Sequence, residues 1–149
     1  MKYKLASSTW DHKEIEAIQT VIDSNMFSMG ERVFEYEHEF AKFFNSKYAI
    51  MTSSGSTANL LMIAAMFFTK DNSRRLKRGD QVIVPAVSWS TTLSPFIQLG
   101  YEPFLIDCDK NNLGVDVDSL YELAKKEDIS TLIIVHVLGH ESSIFKIKD

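Results

Sequence analysis

The stretch of this sequence best suited to chemistry is Thr52-Ser53-Ser54-Gly55-Ser56-Thr57-Ala58-Asn59, where an apolar run gives way to helix-forming residues. Gly55 lets the backbone turn sharply or approach a ligand closely. Ser56 and Thr57 follow it, presenting amides and hydroxyls at the start of a helix. The first amides of a helix have no internal partner, and the helix dipole favours an anion there. A phosphate suits such a turn. Each hydrogen bond to a charged group contributes roughly 1.5–3 kcal/mol, so several together anchor a ligand. Plain helix capping by serine and threonine explains the same residues, and both readings stand on the sequence alone. The turn is neither a Walker A loop nor a dinucleotide G-x-G-x-x-G pattern.

A second chemical residue is Trp89, in Pro85-Ala86-Val87-Ser88-Trp89-Ser90-Thr91-Thr92. It lies beyond the end of an expected strand, where ligands of open α/β sheets bind. A flat aromatic can stack on a planar ring there, adding about 0.5–1.5 kcal/mol beyond its area burial. The alternative is a core tryptophan covering the sheet edge. The sequence reading puts this indole and the Gly55 turn on one edge of the sheet, one suited to a ring and the other to a phosphate.

The remaining reactive side chains carry less. Lys70, Lys77 and Lys126 lie in polar segments without the burial that depresses a lysine pKa. His136 stands in an apolar run and reads as a core histidine. His140-Glu141 does not open an H-E-x-x-H motif, because Ile144 stands where the second histidine would be. Asp107 and Asp109 flank Cys108 and read as a hydrogen-bonded loop rather than a cation site. No metal site and no Ser/His/Asp arrangement is expected.

These residues need elements to hold them. Asp11 and Glu14 have capping-box spacing, and Ile15, Ile18 and Ile22 follow at helical period, predicting a helix over 11–24. Val33, Tyr36, Phe40 and Phe43 mark a second helix ending near Asn45. Tyr48 to Thr52 reads as a strand. Residues 57–68, apolar nearly all round, read as a buried helix. Gln81 to Val84 is a strand closed by Pro85, and Thr91 to Leu99 a helix with Gly100 in the stop position. Pro103 to Ile106 and Thr131 to Val137 are further strands, with a helix capped by Asp118 and running through Lys126 between them. Alternation of strand and helix implies βαβ units and a parallel sheet. The expected organisation is N-terminal helices over 1–46, βα units over 47–138 and a divergent tail over 139–149.

Composition narrows the function. The 149 residues are 45% hydrophobic and 24% charged with a net charge of −4, an ordinary globular balance that does not suggest a nucleic-acid surface. The basic stretch Lys70 to Arg78 reads as a solvated connection. A lone Cys108 allows no disulfide. The N-terminus MKYKLASSTW has no apolar signal core, and the longest apolar run, Leu60 to Phe68, is too short to span a bilayer. A cytoplasmic protein without membrane attachment is expected.

The chain resembles the DegT/DnrJ/StrS family of sugar aminotransferases and dehydratases. The resemblance is carried by LASSTWD (5–11), MFSMGE (26–31), SSGSTANLLMIAAMFFT (53–69), RLKRGDQVIVPAVSWSTT (75–92) and the DCD region (107–109). It implies an incomplete large domain of the aspartate-aminotransferase fold, three layers (αβα) with a mostly parallel sheet. It also implies pyridoxal 5'-phosphate as cofactor, with Gly55, Ser56 and Thr57 at the phosphate and Trp89 on the pyridine ring. Met26, Phe27, Ser28 and Met29 match a segment that contacts a nucleotide-sugar substrate. The VPAVSWSTT and MFSMGE wording resembles the dehydratase branch, which removes the 3-hydroxyl of nucleotide-linked 4-keto-6-deoxy sugars. The alternatives are amino transfer to the same keto-sugars and a non-catalytic remnant. Full-length members are homodimers. In the family, the acidic partner of the ring nitrogen and the lysine or histidine base lie beyond the region covered here, so the chain alone is expected to be inactive.

Overall fold

The computed structural model describes residues 7–73 and 75–148. Residues 1–6, Arg74 and Asp149, which the sequence reading placed in the N-terminal stretch, the basic run and the tail, lie outside the described residues. The chain divides between Met51 and Thr52 into two compact units.

The first unit holds two helices, α1 (His12–Ser24) and α2 (Glu31–Phe43). The Asp11/Glu14 capping box forms as its spacing predicts: the Glu14 carboxylate accepts from the Asp11 amide at 2.8 Å. Asn25, left-handed at φ 57°, ends α1, and Gly30 is the N-cap of α2. The segment 48–52 is not a strand. Strands are stabilised by neighbours, and among the described residues none pairs with this one; Tyr48 and Ile50 are exposed. The Met51 amide instead donates to the Glu37 carboxylate at 2.7 Å.

The second unit is built on a parallel sheet ordered β2-β1-β3, from β1 (Gln81–Pro85), β2 (Glu102–Ile106) and β3 (Ile129–Leu132). Val82, Ile83 and Val84 are fully buried, as a central parallel strand covered on both faces requires. Helices α3 (Gly55–Phe68) and α4 (Ser90–Leu99) contribute Ile63 and Phe96 to the face of Val82 and Val84. Helices α5 (Val117–Ala124) and α6 (Ile144–Lys148) contribute Leu120 and Ile147 to the face of Ile83. The three expected layers are present.

Several expectations change. Pro85 is the last residue of β1 rather than the one after it, paired with Ile106. Proline cannot donate to a ladder, so it is tolerated at the end, where the Ala86 amide takes up the bond to the Ile106 carbonyl. Asp116, not Asp118, caps the fifth helix, accepting from the Ser119 amide at 2.7 Å, and that helix stops at Ala124. β3 spans only Ile129 to Leu132; one further bond, from the Ile133 amide to the Ile83 carbonyl, prolongs it before the chain turns away. Of α3 only Ile63 is buried, and Leu61, Met62 and Phe68 are exposed, because described neighbours cover one side of the helix alone. Leu76, within the basic run, is buried in the core, while Lys77 and Arg78 beside it are exposed.

Candidate functional site

Helix α3 begins with a capping box made by Ser54 and Thr57. The Thr57 amide donates to Ser54 Oγ at 3.3 Å, and the Ser54 amide donates to Thr57 Oγ1 at 3.0 Å. Thr57 Oγ1 also donates to the Ser54 carbonyl at 2.8 Å. The Thr57 hydroxyl is therefore engaged in the cap, contrary to the expectation that it is free. What remains open are the amides of Gly55 and Ser56 and the Ser56 hydroxyl, none with a partner among the described residues. A Cβ added at Gly55 would meet nothing within 4 Å, so the backbone there faces open space. The first turn of α3 carries no acidic residue to repel an anion.

Trp89 is the N-cap of α4 and is 76% exposed, which excludes the core-tryptophan reading. Its backbone is held firmly. Ser88 Oγ donates to the Pro85 carbonyl at 2.8 Å, and the Thr92 amide donates to the Trp89 carbonyl at 2.8 Å. The indole therefore projects from a fixed turn directly after the central strand.

Gly55 does not follow the strand expected over 48–52, since that segment is not one. What joins the two features is a side chain the sequence reading passed over. Asn59, in the second turn of α3, donates its Nδ2 to the carbonyl of Thr91, second residue of α4, at 3.2 Å. The start of α3 is thereby tied to the start of α4, the helix that Trp89 caps. The chemistry of these residues suits a cofactor with a phosphate and a planar ring: amides at Gly55 and Ser56 without a partner among the described residues, and an exposed indole at Trp89 on the helix that Asn59 bonds.

Met26, Phe27, Ser28 and Met29 lie in the other unit, in the link from α1 to α2. Met26, Phe27 and Met29 are exposed. A cleft of about 500 Å³ opens there, with Met26, Phe27, Ser28 and Arg32 in its wall. The Met26 amide donates to Ser24 Oγ at 3.2 Å, and Gly30 packs so closely that a Cβ would stand 3.1 Å from Met26 Cγ.

The other reactive residues take structural parts. His136 is exposed rather than in the core, because β3 ends before it; its Nδ1 accepts from the Ser142 amide at 3.2 Å. Asp107 Oδ1 accepts from the Cys108 amide and Asp109 Oδ1 from the Asn111 amide, so both carboxylates brace their own loop. No group of three or more His, Cys, Asp or Glu side chains among the described residues is arranged to hold a metal. Lys70, Lys77 and Lys126 are exposed. No helix among the described residues is long and apolar enough to cross a membrane.

Comparison with known proteins extends the picture. The chain is 56% identical over 140 residues to GDP-4-keto-6-deoxy-D-mannose 3-dehydratase of Yersinia pseudotuberculosis, covering 94% of this chain and 35% of that protein. The solved structure of the Escherichia coli GDP-4-keto-6-deoxy-D-mannose-3-dehydratase with bound hydrated PLP superposes with a TM-score of 0.92, at 54% identity over 99% of this chain and 37% of that one. An aminotransferase from Psychrobacter cryohalolentis shares the fold alone, at 23% identity and a TM-score of 0.79 over 94% of this chain and 34% of that one. The chain thus spans little more than a third of the length of the dehydratases it matches. A family model matches residues 8–149, running through the tail that the sequence reading set apart. With that match spanning helices, sheet and both helix starts, the chain belongs to the DegT/DnrJ/EryC1/StrS aminotransferase family.

Proposed function

We propose that this chain forms the cofactor-gripping part of a pyridoxal 5'-phosphate enzyme that removes the 3-hydroxyl from a nucleotide-linked 4-keto-6-deoxy sugar. The observation that carries the reading is the junction of two helix starts, with free amides at Gly55 and Ser56 on one and the exposed Trp89 indole on the other. When bound, pyridoxal phosphate supplies an electron sink for chemistry beside the sugar ketone.

The chain's own residues bind and orient. The Gly55 and Ser56 amides and the Ser56 hydroxyl hold the phosphate, assisted by the dipole of the 14-residue α3. Thr57 keeps that helix start rigid through the cap. Trp89 lies against the ring and fixes its tilt. The cleft beside Met26, Phe27, Ser28 and Met29 receives the nucleotide-sugar, with apolar walls for a flat base and sugar faces. The base that moves the proton and the acid that faces the ring nitrogen belong to the stretch of the relatives that this chain does not span. Identities of 54–56% to dehydratases, against 23% to an aminotransferase, support dehydration over amino transfer. We place the full-length form in the cytoplasm as a homodimer; the exposed apolar side chains Ile15, Ile18 and Ile22 of α1 and Phe34 and Phe43 of α2 support a covered surface there.

The test is a fluorescence titration of the 149-residue chain carrying Trp10→Phe, so that Trp89 is its one tryptophan, with pyridoxal phosphate and, separately, with pyridoxal. Saturable quenching of Trp89 by the phosphate ester, at concentrations where pyridoxal leaves the emission unchanged, is the expected result. Equal quenching by both removes the phosphate site and the reading with it.

A further inference from the structure

We infer that Asn59 is a positioning residue that replaces a backbone donor deleted by Pro95 and thereby sets the separation of the two cofactor-binding helix starts. Pro95 lies inside α4 and is buried. In an α-helix each amide donates to the carbonyl four residues earlier. The acceptor belonging to residue 95 is the carbonyl of Thr91, and proline has no N–H to offer it. That carbonyl is the atom to which Asn59 Nδ2 donates at 3.2 Å. The gap in one helix is thus filled by a side chain from its neighbour.

The consequence reaches the site. A regular helix in place of α4 would give the Thr91 carbonyl an internal donor, so Asn59 would add only a second bond to an acceptor already satisfied. With Pro95 present, the open acceptor lies two residues after Trp89, and its donor lies three and four residues after Ser56 and Gly55. The bond therefore links the backbone turn beneath the indole to the helix whose first amides face the phosphate. Ile63 and Phe96, both buried, continue the same helix pair into the core, so the polar bond marks the solvent-facing end of an apolar seam. This inference rests on the cofactor reading above for its purpose, though the bond itself does not.

The experiment uses the 149-residue chain with Trp10→Phe, which leaves Trp89 as the one tryptophan, excited at about 295 nm so that the tyrosines stay dark. Asn59→Ala, Pro95→Ala and the double variant are compared by urea midpoint and by quenching with pyridoxal phosphate. Asn59→Ala is expected to lower the midpoint and to raise the half-saturating concentration about tenfold or more, since small misplacements of binding groups are costly. Pro95→Ala returns an amide to the Thr91 carbonyl, so in that background removing Asn59 lowers the midpoint clearly less than it does in the parent. Quenching stays weak in the double variant, because a satisfied carbonyl does not restore the bridge between helices. Strictly additive losses of stability overturn the replacement of the missing donor, and unchanged titration in Asn59→Ala overturns the positioning role. Recovery of tight binding in the double variant also overturns it, leaving a purely structural bond. If the parent shows no saturable quenching, the cofactor reading fails and the positioning role with it, while the non-additive stability still reports the bond.

Discussion

Ser54 and Thr57 close on each other: each donates its amide to the other's side-chain oxygen, at 3.0 and 3.3 Å. This reciprocal cap satisfies the third amide of α3 and leaves the first and second, those of Gly55 and Ser56, facing outward. The division of labour separates holding the helix start from holding a ligand, and it makes the two experimentally separable.

Gly55→Pro tests the ligand half. Residue 55 is the first of the helix, where proline is well tolerated, and Ser54 before it is extended at φ −166° and ψ 166°, as a residue preceding proline should be. The variant is expected to keep its melting temperature while losing one amide donor. Affinity for pyridoxal phosphate should fall about ten- to hundredfold, the equivalent of one bond to a charged acceptor. Titration alongside a thermal melt checks both halves.

Trp89→Ala should leave folding intact, since the indole is 76% exposed and buries little against the protein. Loss of the ring contact is expected to weaken cofactor binding by about threefold to tenfold. Binding followed by cofactor absorbance, with circular dichroism as the control for folding, measures the two effects independently.

Tyr101→Phe should stabilise the second unit. The Tyr101 side chain is buried against Phe96 and Phe67, and its hydroxyl has no partner among the described residues. Removing an unsatisfied buried hydroxyl is expected to gain about 1–2 kcal/mol in urea unfolding. Burial first, and then the charge of Asp80, push the phenol above its ordinary value of 10.0. A raised folded pKa means that the unfolded chain releases this proton first. The contribution is thus fully present below pH 10 and is lost as pH rises through the folded value. Tyr101→Phe should accordingly flatten the alkaline limb of the stability curve above pH 10.

Gly114→Ala should loosen the tail. An added Cβ would stand 2.6 Å from Ser142 Oγ and 2.9 Å from the Ser142 Cα, which is backbone and cannot rotate aside. Ser142 is itself buried and donates to the Val135 carbonyl at 3.1 Å. A cost of about 1–3 kcal/mol is expected. Faster amide exchange over 139–148 would locate it; an unchanged urea midpoint would show that the tail does not pack on Gly114.

What the sequence determined by itself was whatever depends on a few adjacent residues. The Asp11/Glu14 box, the stop at Gly100 and the strand Gln81–Val84 all follow from rules acting within one helical turn or one strand, and all are present, while the turn expected at Gly55 is instead the first residue of α3, which starts two residues before Thr57. Hydrophobic period also announced the alternation of helix and strand that yields a parallel sheet. Tertiary structure decided whatever needs a neighbour. Tyr48 to Thr52 has the composition of a strand, yet strand pairing is a property of two segments and no described partner is there. Residues 57–68 are apolar enough for burial, but burial is the covering of one surface by another, and only the Ile63 side is covered. The site divides in the same way. Gly55, Ser56 and Trp89 are legible as candidate ligand-facing residues because glycine, a helix start and a flat ring announce themselves locally. Asn59 was legible only in half: Pro95 inside a helical pattern signals that the Thr91 carbonyl lacks a donor, but 32 residues separate Asn59 from Thr91, and only the packing of α3 on α4 could name the side chain that fills the gap.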